Sequence, residues 1–207
     1  MSSDIKAKTF LNSLSASTAV VAALQTTSGT AAMTLTTAAG TGAFHATDQA
    51  AKVTLTSGGN ISGVTITLTG TDIAGNTQTE DITGPNANTV TSTKFYDTIT
   101  SVAGDGSIGT NTSIGVAAGT TGGQAKINSE RTRLKGIHAT TGGTIGDMTF
   151  YNTSPISGTS LFSVKSATTT KDYIDPYIPD DGILFTGGAY IDLPAGTAVS
   201  FTVFFDG

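Results

Sequence analysis

The sequence predicts an all-β chain of antiparallel β-sandwich domains, immunoglobulin-like or jelly-roll-like, and two in number. Three observations carry this. Val64-Thr65-Ile66-Thr67-Leu68-Thr69 alternates apolar side chains with hydroxyls, the period-2 pattern of a strand with one dry and one wet face. About a fifth of the 207 residues are Thr, whose β-branch favours extended backbone. The 26 Gly suit many tight turns between short strands.

The elements follow in order. Residues 1–28 read either as an N-terminal arm that orders against a partner or as a first strand. Phe10, Leu14, Val21 and Leu24 fall near helical spacing, but the Ser and Thr between them weaken a helix. Residues 29–118 form the first sandwich domain. Its strands are expected at Ala32–Thr36, Ala51–Thr56, Gly63–Thr69, Thr77–Thr83, Thr89–Tyr96, Asp97–Val102 and Ser113–Ala117. Asp72-Ile73-Ala74-Gly75-Asn76 reverses the chain between two of them, and Gly84-Pro85-Asn86-Ala87-Asn88 turns it again.

Residues 119–125 are small, uncharged and Gly/Thr-rich, which reads as a linker. A second β-rich domain over 126–207 is expected to use Arg131–Ala139, Gly146–Tyr151, Leu161–Ser166, Ile183–Phe185, Ala189–Leu193 and Val199–Phe205. Five of the nine Phe lie after residue 150, so its core should be the denser one.

Composition narrows function. Charged residues make up 12%, against about 25% in ordinary globular chains. A net charge of -5 gives no general attraction to nucleic acid or anionic membrane. No stretch reaches the ~20 apolar residues of a membrane span, and polar residues interrupt any signal-like core near the start. The expectation is therefore a soluble chain with neither nucleic acid nor membrane as partner. With no Cys, a disulfide framework, a zinc-thiolate site and a thiol nucleophile are all excluded.

Catalytic motifs are weak. Gly104-Asp105-Gly106-Ser107-Ile108-Gly109 matches the spacing of a dinucleotide fingerprint, but the residues after it do not form the required helix, so it reads as a turn. His45 and His138 lack ligand-like neighbours. No G-x-S-x-G elbow is present. Adjacent Glu80 and Asp81 point to opposite faces of a strand and cannot serve as a facing glycosidase pair. The Asp-rich stretch 172–182 fits no calcium loop. The triplets starting at Asn60, Asn111 and Asn152 match the glycosylation pattern by chance. The reading is non-enzymatic, with no cofactor and no metal.

Charge patterning supplies the candidate contacts. Lys126, Arg131, Arg133 and Lys135 lie within ten positions, the last three on one face of a predicted strand. Asp172, Asp175, Asp180 and Asp181 form an acidic loop. These surfaces are either separately solvated or meet across subunits, where they would set register.

The segments Val53–Thr56, Gly63–Asp72, Ile82–Ala87 and Phe95–Val102, together with Gly182–Leu193, resemble structural proteins of tailed bacteriophages, notably small head proteins. The likeness implies a virion protein on the outer capsid surface, made in the host cytoplasm. Within that class, the expectation is a capsid decoration (cement) protein that binds the major capsid protein as a homo-oligomer, with a trimer favoured. The alternative is a tail-fibre, tail-tip or head-fibre protein recognising host glycans through Tyr173 and Tyr177.

Overall fold

The structure, a computed structural model, describes residues 4–11, 16–36, 48–109, 112–116, 122–141, 146–153, 159–165, 173–195 and 199–207. Among these the regular elements are all strands. In chain order they are β1 (Lys6–Leu11), β2 (Ser17–Gln25), β3 (Gln49–Ser57), β4 (Thr65–Thr71), β5 (Thr77–Thr83), β6 (Thr89–Tyr96), β7 (Thr98–Gly104) and β8 (Thr112–Val116). Then follow β9 (Gly123–Asn128), β10 (Thr132–Thr141), β11 (Met148–Asn152), β12 (Thr159–Val164), β13 (Tyr173–Ile174), β14 (Ile183–Phe185), β15 (Ala189–Leu193) and β16 (Val199–Asp206). They form two compact units, one of Ser15–Ala118 and one of Met1–Leu14 with Gly119–Gly207.

In the Ser15–Ala118 unit, β3 pairs antiparallel with β6 and β8, and β8 with β2. A second sheet runs β5-β4-β7. The alternation read from the sequence sets its faces: Ile66 and Leu68 are fully buried while Thr67 and Thr69 point outward. Val53, Leu55, Ile99 and Val102 complete an aliphatic core around one large ring, Tyr96. The β4–β5 turn closes on Asp72, whose Oδ1 accepts from the Ala74 and Asn76 amides at 2.9 and 2.8 Å. Gly75 supplies the left-handed backbone there, with φ +86°. Gly70 is required by close approach, because a Cβ would lie 2.0 Å from the Thr98 carbonyl oxygen.

The other unit packs β1-β16-β10, with β13 and β14 on the far side of β10, against β12-β11-β15-β9. Alternate residues of both sheets meet in a core that includes Phe10, Phe150, Phe185, Phe201, Ile191 and Val203. Its rings come from both ends of the chain, Phe10 joining Phe150, Phe185, Phe201 and Phe205. Phe10 and Phe201 rings lie 5.3 Å apart, and Phe150 stacks on Phe162 at 4.5 Å.

Three expectations are corrected. Residues 1–28 are not one arm or strand: β1 pairs with β16 along its whole length, while β2 belongs to the other unit. Lys8 and Phe10 alternate toward the inside of the sandwich, and the Phe10 anchor selects the partner. Gly123, Gln124 and Ala125, read as the end of a linker, open strand β9 and pair with β15. Gly123 and Ala125 are small enough for a tightly buried strand as well as for a linker, and Gln124 is buried with them. Residues 32–36 form no strand; Gln25 ties them down, with its Oε1 accepting from the Thr34 amide and its Nε2 donating to the Thr34 carbonyl, both at 2.8 Å.

Candidate functional site

The charged segments read from the sequence come together in part, and within one chain. β10 carries Arg133 and Lys135 beside the turn that ends the acidic loop. Arg133 Nη1 donates to the Asp181 carbonyl at 3.0 Å, and Lys135 Nζ donates to the Asp180 and Asp181 carbonyls at 3.1 and 3.3 Å. The carboxylate facing Lys135 is Asp206, 3.6 Å away, whose Oδ1 also accepts from the Arg133 amide. The cations thus hold the backbone of the loop and leave the Asp180 and Asp181 side chains exposed.

The rest of the predicted patch is dispersed. Arg131 precedes β10 and is exposed. Lys126 lies on β9, in the opposite sheet, so the four basic residues share no face. Asp172 and His45 lie outside the described residues. His138 is exposed on the outer face of β10. Strand β8, not a helix, begins at Thr112, and Asp105 caps the Thr65 amide at 2.9 Å, so the glycine-rich stretch reads as a turn.

Glu80 and Asp81 do face opposite ways. Asp81 accepts from Thr67 Oγ1 on the outer face at 2.6 Å. Glu80 reaches across to β6, where its carboxylate accepts from the Thr93 amide (2.7 Å), Thr93 Oγ1 (2.8 Å) and the Lys94 amide (3.2 Å). It is a clamp between two sheets of one unit. Burial, reinforced by the neighbouring Glu80 carboxylate, pushes the Tyr96 hydroxyl above the usual tyrosine range.

The loop 173–182 runs as a strap over the edge of the second sandwich. Ile174 and Ile178 turn inward against the core, while Tyr173, Asp175 and Tyr177 turn outward. Tyr173 is 64% exposed and Tyr177 86%. Pairing of β13 with β10 sets Tyr173 opposite Thr140, and the same row continues through Ser200 to Leu11. Two rows further along this outer face, beyond Thr9, Thr202 and His138, Phe204 lies over Gly136, whose missing side chain makes room for the ring. Leu11, Tyr173 and Phe204 are all exposed, on a face they share with Ala7, Thr9, Thr140, Ser200, Thr202 and His138, and at the end beyond Phe204 the face continues into Arg133 and Asp206.

Sequence reasoning did not anticipate this face. Its one signal was the break in alternation at Phe204-Phe205, where consecutive aromatics force one ring outward. A second unanticipated feature is Asp192 on β15. Burial pushes its carboxyl up, while hydrogen bonding from Tyr151 and Gln124 pulls the other way, and Oδ1 has no partner. Burial, with Asp192 as neighbour, likewise raises the Tyr151 hydroxyl.

No protein-family model, curated protein or solved structure matches the chain.

Proposed function

We propose that the chain is a non-enzymatic virion structural protein of a tailed bacteriophage, a decoration or cement protein that binds the assembled head. The observation that carries a contact role is the outer face of the β1-β16-β10-β13 sheet, where Leu11, Tyr173 and Phe204 are exposed among hydroxyls and the charged pair Arg133–Asp206 lies only at one end, beyond Phe204. Interface centres are depleted in charge and enriched in aromatic residues, and this face has that composition. The resemblance of the Thr-rich strands to phage head proteins supplies the partner, the major capsid protein, and a homo-oligomeric, trimeric state.

The mechanism is mass action. A ligand that binds only the assembled shell stabilises that state by RT ln(1 + [L]/Kd), about 2.7 kcal/mol at a hundredfold excess over Kd. A persistent contact should bury more than about 1,000 Å². The test is to add the purified chain to undecorated shells and follow co-sedimentation and shell melting. Wild type should co-sediment and raise the melting temperature, and Leu11→Ser with Phe204→Ser should weaken both. A chain found only at the tail, in few copies per particle, sinks the proposal. The alternative, a fibre or tail-tip protein recognising host glycans, is favoured by a different observation, the exposure of Tyr173 and Tyr177.

A further inference from the structure

We infer that the strap over residues 173–179 is a binding site for a neutral oligosaccharide, with Tyr173 and Tyr177 as stacking platforms and Asp175 as the hydrogen-bond acceptor between them. This deepens the glycan-recognising alternative above, which uses the same two tyrosines, and does not rest on the decoration reading, since a saccharide site can sit on a head, a fibre or neither.

The first argument is rigidity. Pro176 and Pro179 fix their own φ and push Asp175 and Ile178 into extended backbone. Ile174 and Ile178 anchor the strap from below in the aromatic core. At its end, Gly182, with φ +72°, closes a turn in which its amide donates to the Pro179 carbonyl at 2.7 Å. Arg133 and Lys135 then grip the Asp180 and Asp181 carbonyls. A segment held at so many points loses little entropy when a ligand arrives.

The second argument is what this scaffold presents. Burial alternates along the strap, so Tyr173, Asp175 and Tyr177 share the outward side. Four residues can span at most about 13–14 Å when fully extended, a reach longer than one sugar ring. Tyr173 and Tyr177 are the two most exposed aromatic side chains among the described residues, and neither is needed to fill the core. A tyrosine ring is flat and apolar with a polar tip, and only two χ angles must be ordered to use it. The C–H face of a pyranose matches the ring, and its hydroxyls match the Asp175 carboxylate and the phenol oxygens.

The third argument is charge. Asp175, Asp180 and Asp181 are all exposed at or beside the strap, on a chain of net charge -5. An acidic sugar or a phosphate would meet like charge there. A purely apolar peptide would leave Asp175 unsatisfied. A neutral saccharide is the ligand class that uses the rings and the carboxylate together.

The experiment uses the full chain on an array of neutral and sialylated oligosaccharides, followed by titration of the best neutral ligand by tyrosine fluorescence, which has no Trp background. Neutral oligosaccharides should bind and sialylated ones should not. Tyr177→Ala and Tyr173→Ala should each weaken binding by roughly tenfold or more, as expected when an aromatic anchor is truncated. Tyr177→Phe keeps the stacking face and should retain most of the affinity, while Asp175→Asn should weaken it without abolishing it. The urea midpoint of each variant should match wild type, which separates a lost contact from a lost fold. Preference for acidic sugars, no neutral ligand bound up to about millimolar, or unchanged affinity in both alanine variants would each overturn the inference. Shell co-sedimentation by Tyr177→Ala, measured in parallel, tests the decoration role independently of saccharide binding.

Discussion

The two units share a layer architecture and differ in where they put their large side chains. In the Ser15–Ala118 unit the core is aliphatic around Tyr96, and the outer face of β5-β4-β7 is a grid of Thr hydroxyls, tied by contacts such as Thr71 to Thr98 at 2.7 Å. In the unit built from both ends of the chain, Phe rings fill the core and further aromatics spill onto the surface. Ile5, Leu11, Leu161, Tyr173, Tyr177 and Phe204 are exposed there, against Leu24 in the other unit. A hydroxyl grid that satisfies itself asks little of a partner, whereas exposed rings on a pinned scaffold are what binding surfaces use. The contrast points to the second unit for binding.

The strongest way to break that contrast is to empty the aromatic core. Phe201→Ala removes a fully buried ring that packs on Phe10 and should destabilise its unit by about 3–5 kcal/mol, read as a fall in urea midpoint. If β1 is held to β16 by that ring, Phe10→Ala and Phe201→Ala should be less than additive. In the aliphatic unit the equivalent stress is overpacking. Gly70→Ala drives a methyl into the Thr98 carbonyl and against the Tyr96 ring, at a cost of about 1–3 kcal/mol, whereas Gly75→Ala meets open space and costs only the left-handed penalty of about 1–2 kcal/mol.

Smaller effects separate the units by pH. Tyr96 is held neutral above the usual tyrosine range, so the unfolded chain ionises first. Its contribution is intact below about pH 10 and is lost as pH rises further. Urea midpoints taken through that window should fall in wild type and fall less in Tyr96→Phe. Asp192 acts at the other end of the scale. Its folded carboxyl titrates above the ordinary aspartate value, so its contribution is full below about pH 4 and is lost as pH climbs through the folded value. Asp192→Asn should therefore stabilise at neutral pH and make little difference at pH 3; destabilisation at neutral pH would show the charged form to be the favoured one. The smallest stability change is expected at Tyr177, where truncation should stay within about 0.5 kcal/mol while glycan binding falls.

Much of the fold was legible locally. Thr77–Thr83, Thr89–Tyr96, Ile183–Phe185 and Ala189–Leu193 are strands at the bounds expected from alternation and turn chemistry. The contact surface was less so. Arg133 and Lys135 were visible as charges near an acidic loop, but their use of backbone carbonyls leaves no trace in a charge pattern. Lys126 looked like their neighbour because ten positions span two strands that a fold can assign to different sheets, and here does.

Residue order alone determined the class: period-2 alternation, β-branched Thr and frequent turns admit an antiparallel sheet and little else. It also determined which side of β4 is dry, because a one-residue slip would bury hydroxyls and expose Ile66 and Leu68. Tertiary structure decided what local pattern cannot encode. Pairing between β1 and β16 joins residues nearly the whole chain apart, and short-range preference holds no information on such a contact. The same pairing lays Leu11, Ser200, Thr140 and Tyr173 in one row. Burial of Ile174 and Ile178 then turns Tyr173 and Tyr177 outward, so the side chains assigned to binding are exposed because their neighbours are needed inside.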